Sequence, residues 1–240
     1  QFILLPMNRR DFVINTVLAA GAIAAAPTLA NCAPAEKYPF PLVDLHVHTS
    51  ENLSIEQMMK VSKETGITFG VVDHPASWAL KDDADLKKHI ETLRKYPVYV
   101  GLQPTNTNWT GGYSPELLEQ PDYILMGPQT IPLGKRSFMY IWQFDTYVDN
   151  TEEFMERYMA HSLNILNNEP INIFGWPLFL PVCIARDYYT LWTKARLTAL
   201  IDAAKARNIA FEINDMSHTP HEEFILMAKE AGLKFTFGSD

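Results

Sequence analysis

Leu42-Val43-Asp44-Leu45-His46-Val47-His48 is the stretch on which the reading of this chain turns. Side chains alternate faces along a β-strand, so Asp44, His46 and His48 are expected on one face and Val43, Leu45 and Val47 on the other. The first face carries two imidazoles a pleat apart, and the second is wholly apolar. A strand of this kind suits a barrel, with its apolar face packed on outer helices and its polar face open to a mouth. Two neutral imidazoles on one rigid strand can bind a metal ion without reorganisation. A satisfied pair of buried histidines is the plainer alternative, and the rest of the chain has to decide between them.

Outward from this strand, helix and strand patterns alternate. Ser54 caps a helix over residues 55–65, which Gly66 stops. Residues 67–73 form a second strand, and 82–96 an amphipathic helix with Leu86, Ile90 and Leu93 at helical spacing. Strands at 97–103 and 123–126 flank a short helix at 115–119. Residues 128–150 lose this regularity but hold Phe138, Tyr140, Trp142, Phe144 and Tyr147, which predicts an aromatic lid. Thr151 is expected to cap a helix running to about 167, followed by a strand at 171–176 and a long helix at 188–207. A strand at 209–213, a helix at 222–231 and a strand at 233–237 complete the pattern. Seven strands joined by helix-length connections predict an α/β fold with a parallel sheet. The half-polar first strand favours a closed, TIM-like (β/α)7 barrel over residues 42–240. No glycine-rich phosphate loop follows a strand, which argues against a dinucleotide fold.

The length of 240 residues and a hydrophobic share of 47% suit one large domain. A net charge of -8 without a basic run gives nucleic acid no foothold, so the expected partner is a small-molecule substrate. Cys32 and Cys183 make no disulfide framework and lack metal-type spacing. Asn8-Arg9-Arg10-Asp11-Phe12, an apolar run over 14–26 and Pro27-Thr28-Leu29-Ala30 have the layout of a Tat-type export signal. Residues 1–33 are therefore expected to be upstream residues and signal, with Met7 the natural start, and 34–41 a linker. The expected location is periplasmic or extracellular, with no stable membrane span once the signal is removed. Lipoprotein anchoring at Cys32 is the alternative, disfavoured by Asn31 before it.

Active sites of α/β barrels lie at the C-terminal ends of the strands. Here those ends carry His46 and His48, Asp73-His74, Gln103, Gln129, Trp176, Glu212-Ile213-Asn214 and Gly238-Ser239-Asp240. His89, His161, His218 and His221 fall on helices or loops and are expected to be exposed or capping.

Asp44-Leu45-His46-Val47-His48-Thr49-Ser50, Val71-Val72-Asp73-His74, Phe211-Glu212-Ile213-Asn214 and the run from Ala231 to Asp240 together resemble the polymerase and histidinol phosphatase (PHP) family. The resemblance implies a distorted seven-stranded barrel that holds up to three ions, usually zinc or manganese, and hydrolyses phosphoesters. It places metal ligands at His46, His48, His74 and Asp240. Four positions depart from the pattern: Gln103 where a bridging glutamate is expected, Gln129 and Ser54 where histidines are, and Gly175-Trp176-Pro177 for Gly-His-Pro. One ion, held by His46, His48 and Asp240, is what the matching residues imply. The pattern continues past a position matching Asp240 with a small residue and a histidine, so the chain reads as C-terminally truncated.

The leading expectation is an exported hydrolase with one metal-activated water, with Asp73 or His74 orienting or deprotonating it. Gln103, Asn106 and Gln129 would then face the substrate. Glu212 and Asn214 either contact substrate or form a hydrogen-bonded polar layer in the barrel. Trp176 and the lid aromatics either stack on a sugar or other flat ligand or plug the barrel mouth. The alternatives are a ligand-binding pseudo-enzyme, supported by Gln103, and an amidohydrolase-like enzyme, which lacks a lysine at an inward strand end here.

Overall fold

The computed structural model describes residues 40–134 and 137–240; the stretch expected to be an export signal and most of the expected linker lie outside the described residues. Strands β1 (Val43–Val47), β2 (Thr68–Asp73), β3 (Tyr99–Leu102) and β4 (Tyr123–Met126) run parallel in chain order. A separate antiparallel hairpin, β5 (Thr130–Pro132) and β6 (Phe138–Tyr140), interrupts the series. The series resumes with β7 (Ile173–Phe174), β8 (Ala210–Asn214) and β9 (Phe235–Gly238), and β9 pairs with β1 to close a seven-stranded parallel barrel. The chain is thus an α/β, TIM-like barrel.

The connections are helical where capping residues dictate. Helix α1 (Ile55–Thr65) opens with a reciprocal pair in which Ser54 and Gln57 each bond the other's backbone N–H, and Gly66 closes it at φ 78°. Asp82 accepts from the N–H groups of Ala84 and Asp85 to start α2 (Asp83–Leu93). The short α3 (Pro115–Leu118) follows. Asn150, rather than the expected Thr151, caps α4 (Thr151–Asn168). The single helix expected over 188–207 is broken: α5 (Tyr188–Leu191) ends at Trp192, and Thr193 caps a new helix, α6 (Lys194–Ala206). Helix α7 (Glu222–Glu230) precedes the last strand. Among the described residues no helix is long and apolar enough to cross a membrane.

The strands divide their side chains between two cores. Val71, Val100, Ile124, Phe174 and Phe211 pack outward on the helices, against residues such as Leu86, Ile165, Leu200 and Phe224. Leu45, Val72, Tyr123, Leu125, Ile173 and Ala210 fill the barrel interior. The interior is short of space around Tyr123. A Cβ at Gly70 would lie 2.5 Å from its hydroxyl, and one at Gly101 2.4 Å from its ring, so only glycine fits at either position.

The first strand does not alternate as expected. Leu45 belongs to the interior cluster and Val47 to the outer one, although they stand two residues apart. The cause is a β-bulge: Asp44 pairs with Phe69 and Val47 with Val71, so β1 spends three residues where β2 spends two. Such an insertion re-aims side chains and is common beside active sites. The carbonyl of Leu45 accepts a bond from the Tyr123 hydroxyl at 2.7 Å, which ties the bulge to the barrel filling.

Residues 128–150 are more ordered than the expected lid. The hairpin pairs Thr130 with Tyr140 and Pro132 with Phe138, and Ile131, Ile141 and Val148 are buried in the main core. Tyr140, Trp142, Phe144 and Tyr147 remain exposed.

Candidate metal centre

The bulge sets His46 above the interior core while His48 continues over the mouth. After β9 the chain turns back onto β1: the Asp240 N–H donates to the His46 carbonyl at 2.7 Å, and the Ser239 N–H to Asp44 Oδ1 at 3.1 Å. Asp44 thus holds the turn that carries Asp240, and its burial raises its own pKa despite these bonds. Asp240 Oδ1 comes to lie 3.4 Å from His46 Nε2 and 3.7 Å from His48 Nε2. Among the described residues this is the one group of three such side chains whose ligand atoms all lie within 4.8 Å of one another, and it could hold one ion. Ligand atoms about 2.05 Å from a tetrahedral ion stand roughly 3.3 Å apart, close to these separations. His46 Nε2 is buried with Asp240 Oδ1 at 3.4 Å and Gln103 beside it, a polar gap that an ion would fill.

Behind the triad sits a carboxylate. His46 Nδ1 donates to Glu212 Oε1 at 2.6 Å, and both side chains are fully buried. This bond commits Nδ1 as the donor to Glu212 and turns Nε2 toward Asp240, the arrangement by which a carboxylate orients a metal-binding histidine. Glu212 Oε2 accepts from the Trp176 backbone N–H at 2.8 Å, and the Trp176 indole N–H donates to Asp240 Oδ2. Trp176 adopts φ 47°, a conformation costly for a bulky residue, and it is held there by these two bonds. Its indole ties down one oxygen of Asp240 and leaves the other to His46 and His48. Gly238 makes the arrangement possible, since a Cβ there would lie 2.1 Å from Glu212 Oε1 and 2.6 Å from the His46 Cβ.

Without an ion the two histidines titrate oppositely. Burial works against a charge on His46, but Glu212 and then Asp240 outweigh it and push its pKa up to about 9. Burial, followed by the nearby His46 and His74, pushes His48 down to about 4. One imidazole is therefore the cation of a buried ion pair while its neighbour stays neutral.

His74 stands beside the triad, outside the group of close ligand atoms. Its ring stacks on His48 with centroids 5.0 Å apart at 21°, and Nδ1 donates to the Gln103 carbonyl at 2.9 Å. Burial lowers its pKa, leaving a neutral ring whose Nε2 is the basic atom. Asp73 Oδ1 accepts the His74 backbone N–H, so Asp73 positions this histidine.

Above the triad opens a cavity of about 780 Å³ that brings together His48, His74, Gln103, Asn106, Gln129, Trp176 and Asp240. Glu212 and Asn214, for which substrate contact and a buried polar layer were both expected roles, are not among its walls. Glu212 lies behind His46 with both oxygens engaged. Asn214, also buried, accepts the Ser217 N–H and lines a separate cavity with residues of β1 and β9. His161, expected to be exposed or capping, is instead only 7% exposed, and His89 is also withdrawn from solvent; His218 is exposed. Sequence reasoning missed the tie between Trp176 and Asp240 and the presence of Trp78, whose ring lies 4.6 Å from that of His74. Trp78 follows Asp73-His74 by only four residues, the one signal that placed it near the mouth.

Comparison with protein-family models and with curated proteins gives no match.

Proposed function

We propose that this chain is an exported metal-dependent hydrolase of the PHP phosphoesterase type, with one divalent ion held by His46, His48 and Asp240. The observation that carries the reading is the convergence of one ligand atom each from His46, His48 and Asp240 within 4.8 Å of one another, with Glu212 orienting the His46 ring from behind. Two imidazoles and a carboxylate suit zinc or manganese. When bound, the ion supplies a Lewis acid that polarises the scissile ester and makes water nucleophilic near neutral pH. His74, with Nδ1 committed to the Gln103 carbonyl, offers Nε2 as the proton acceptor. Asp73 holds it in place through the backbone, and Trp176 keeps Asp240 turned toward the ion.

A second reading, a barrel that binds ligand without turnover, is favoured by Gln103. A neutral amide stands where the resemblance calls for a bridging carboxylate, and an amide cannot bridge two cations. The test is turnover of generic phosphomonoesters and phosphodiesters by the purified chain with and without chelator. Chelator-sensitive hydrolysis that is lost in His74→Ala supports the enzyme. Metal binding without any turnover supports the second reading. Export by the Arg9-Arg10 signal is part of the proposal and is tested by fractionating cells that express the chain with these arginines replaced by lysine.

A further inference from the structure

The walls of the main cavity carry a chemistry that the metal triad does not use. Trp78, from the loop after β2, and Trp142, from the segment after the hairpin, are 64% and 50% exposed and line the same space as Tyr140 and Trp176. Exposed tryptophans at one concave site from separate loops are uncommon on a surface with no binding role. Between the rings stand four neutral amides, Gln103, Asn106, Gln129 and Gln143, each able to donate and accept. Among the described residues no lysine or arginine lines the cavity.

A smaller recess of about 280 Å³ adjoins it, sharing Asn106 and Thr130 as walls. His161 lines this recess. Its ring is bonded to the Thr130 backbone, and burial pushes its pKa down to about 4. The donor to that carbonyl is Nδ1–H, so Nε2 is an acceptor, and it is buried without a partner. Asn108 and Thr107 add polar walls, and Pro132 and Phe138 an apolar side. Among the described residues no Asp, Glu, Lys or Arg lines it, and its orphaned atom calls for a donor.

We infer that these joined cavities form a carbohydrate site that takes the uncharged, polyhydroxylated body of the substrate. A pyranose ring presents an apolar C–H face to the negative face of an indole and equatorial hydroxyls that both donate and accept, which is what the rings and amides ask for. A flat heteroaromatic base is a poorer match, because the two exposed tryptophans cross their neighbouring rings: Trp78 meets His74 at 48° and Trp142 meets Tyr140 at 69°. A phosphate away from the triad would find no cation on the described walls. The volume lies within the roughly 300–1,000 Å³ range of small-ligand sites.

The inference rests on the proposed hydrolase reading for the fate of the ligand, but its test reads binding alone, in EDTA. The full chain is screened on an array of neutral oligosaccharides, and hits are titrated by tryptophan fluorescence beside the matching sugar phosphate and AMP. The expected result is saturable binding of a neutral glycan, tighter than that of its phosphorylated form or AMP. Trp78→Ala and Trp142→Ala each weaken it about tenfold with unchanged circular dichroism. Absence of binding to any neutral glycan, or preference for the sugar phosphate or AMP, overturns the inference and leaves the hydrolase reading to its own turnover assay. Glycan binding with no turnover of any ester sinks the hydrolase reading and upholds the inference.

Discussion

Replacing Glu212 with glutamine keeps the shape of the side chain and removes the charge that holds His46 protonated. In the metal-free protein burial opposes the imidazolium, yet the Glu212 carboxylate at 2.6 Å, aided by Asp240, lifts its pKa from 6.5 to about 9. A folded pKa above the unfolded one means that folding stabilises the charged form. That contribution is complete below about pH 6.5 and is lost as pH rises through about 9. At about 1.4 kcal/mol for each tenfold, the difference is worth about 3 kcal/mol, with little solvent screening because His46 is fully buried. Asp240 carries part of it, so Glu212→Gln is expected to lose about 2 kcal/mol near pH 6 and to approach the parent protein near pH 10. Urea unfolding in EDTA across that range measures the gap. A gap that stays constant with pH would refute the reasoning, since it would make the Glu212 contribution one of packing and not of charge.

Three further substitutions probe the frame around the site. Trp176→Phe keeps a ring but removes the indole N–H from Asp240; divalent-metal affinity by calorimetry is expected to fall about ten- to a hundredfold with little change in Tm. Unaltered affinity would show that Asp240 needs no such restraint. Gly238→Ala forces a Cβ into the His46–Glu212 pair and is expected to cost about 1–3 kcal/mol in thermal unfolding, with loss of bound metal. Retention of full metal content would contradict the close packing described. Tyr123→Phe leaves the Leu45 carbonyl of the bulge without its donor and should lower stability by about 1–2 kcal/mol in urea, and an unchanged midpoint would mean that the bulge does not depend on that bond.

The barrel was legible because its strands are short apolar runs separated by amphipathic helices with clear stops, such as Ser54 and Gly66 around α1. The break at Trp192–Thr193 was hidden because apolar periodicity runs through it, while Thr193 as a cap is visible only once the chain is seen to turn. The hairpin within 128–150 was obscured by its density of aromatics, several of which point to solvent. At the site, His46 and His48 follow from their places at the end of the first strand, whereas Asp240 as a ligand came from the family resemblance. The role of Glu212 could not be read from alternation alone. Period-2 reasoning correctly puts it inside the barrel, but the bulge in β1 is what brings His46 directly over it. The same extra residue moved Leu45 from the outer face to the interior. Trp176 was weighed as a stacking surface or a plug, and its indole proved to be a hydrogen-bond donor to a candidate ligand, which no spacing rule anticipates.

The central claim, a single ion on His46, His48 and Asp240, is tested most directly by counting metal. The purified chain is equilibrated with zinc or manganese, freed of excess by gel filtration and analysed by mass spectrometry against protein concentration. The account predicts one ion per chain, lost in His48→Ala and in Asp240→Asn while circular dichroism is unchanged. No retained ion in the parent chain, or equal retention in both variants, would contradict it.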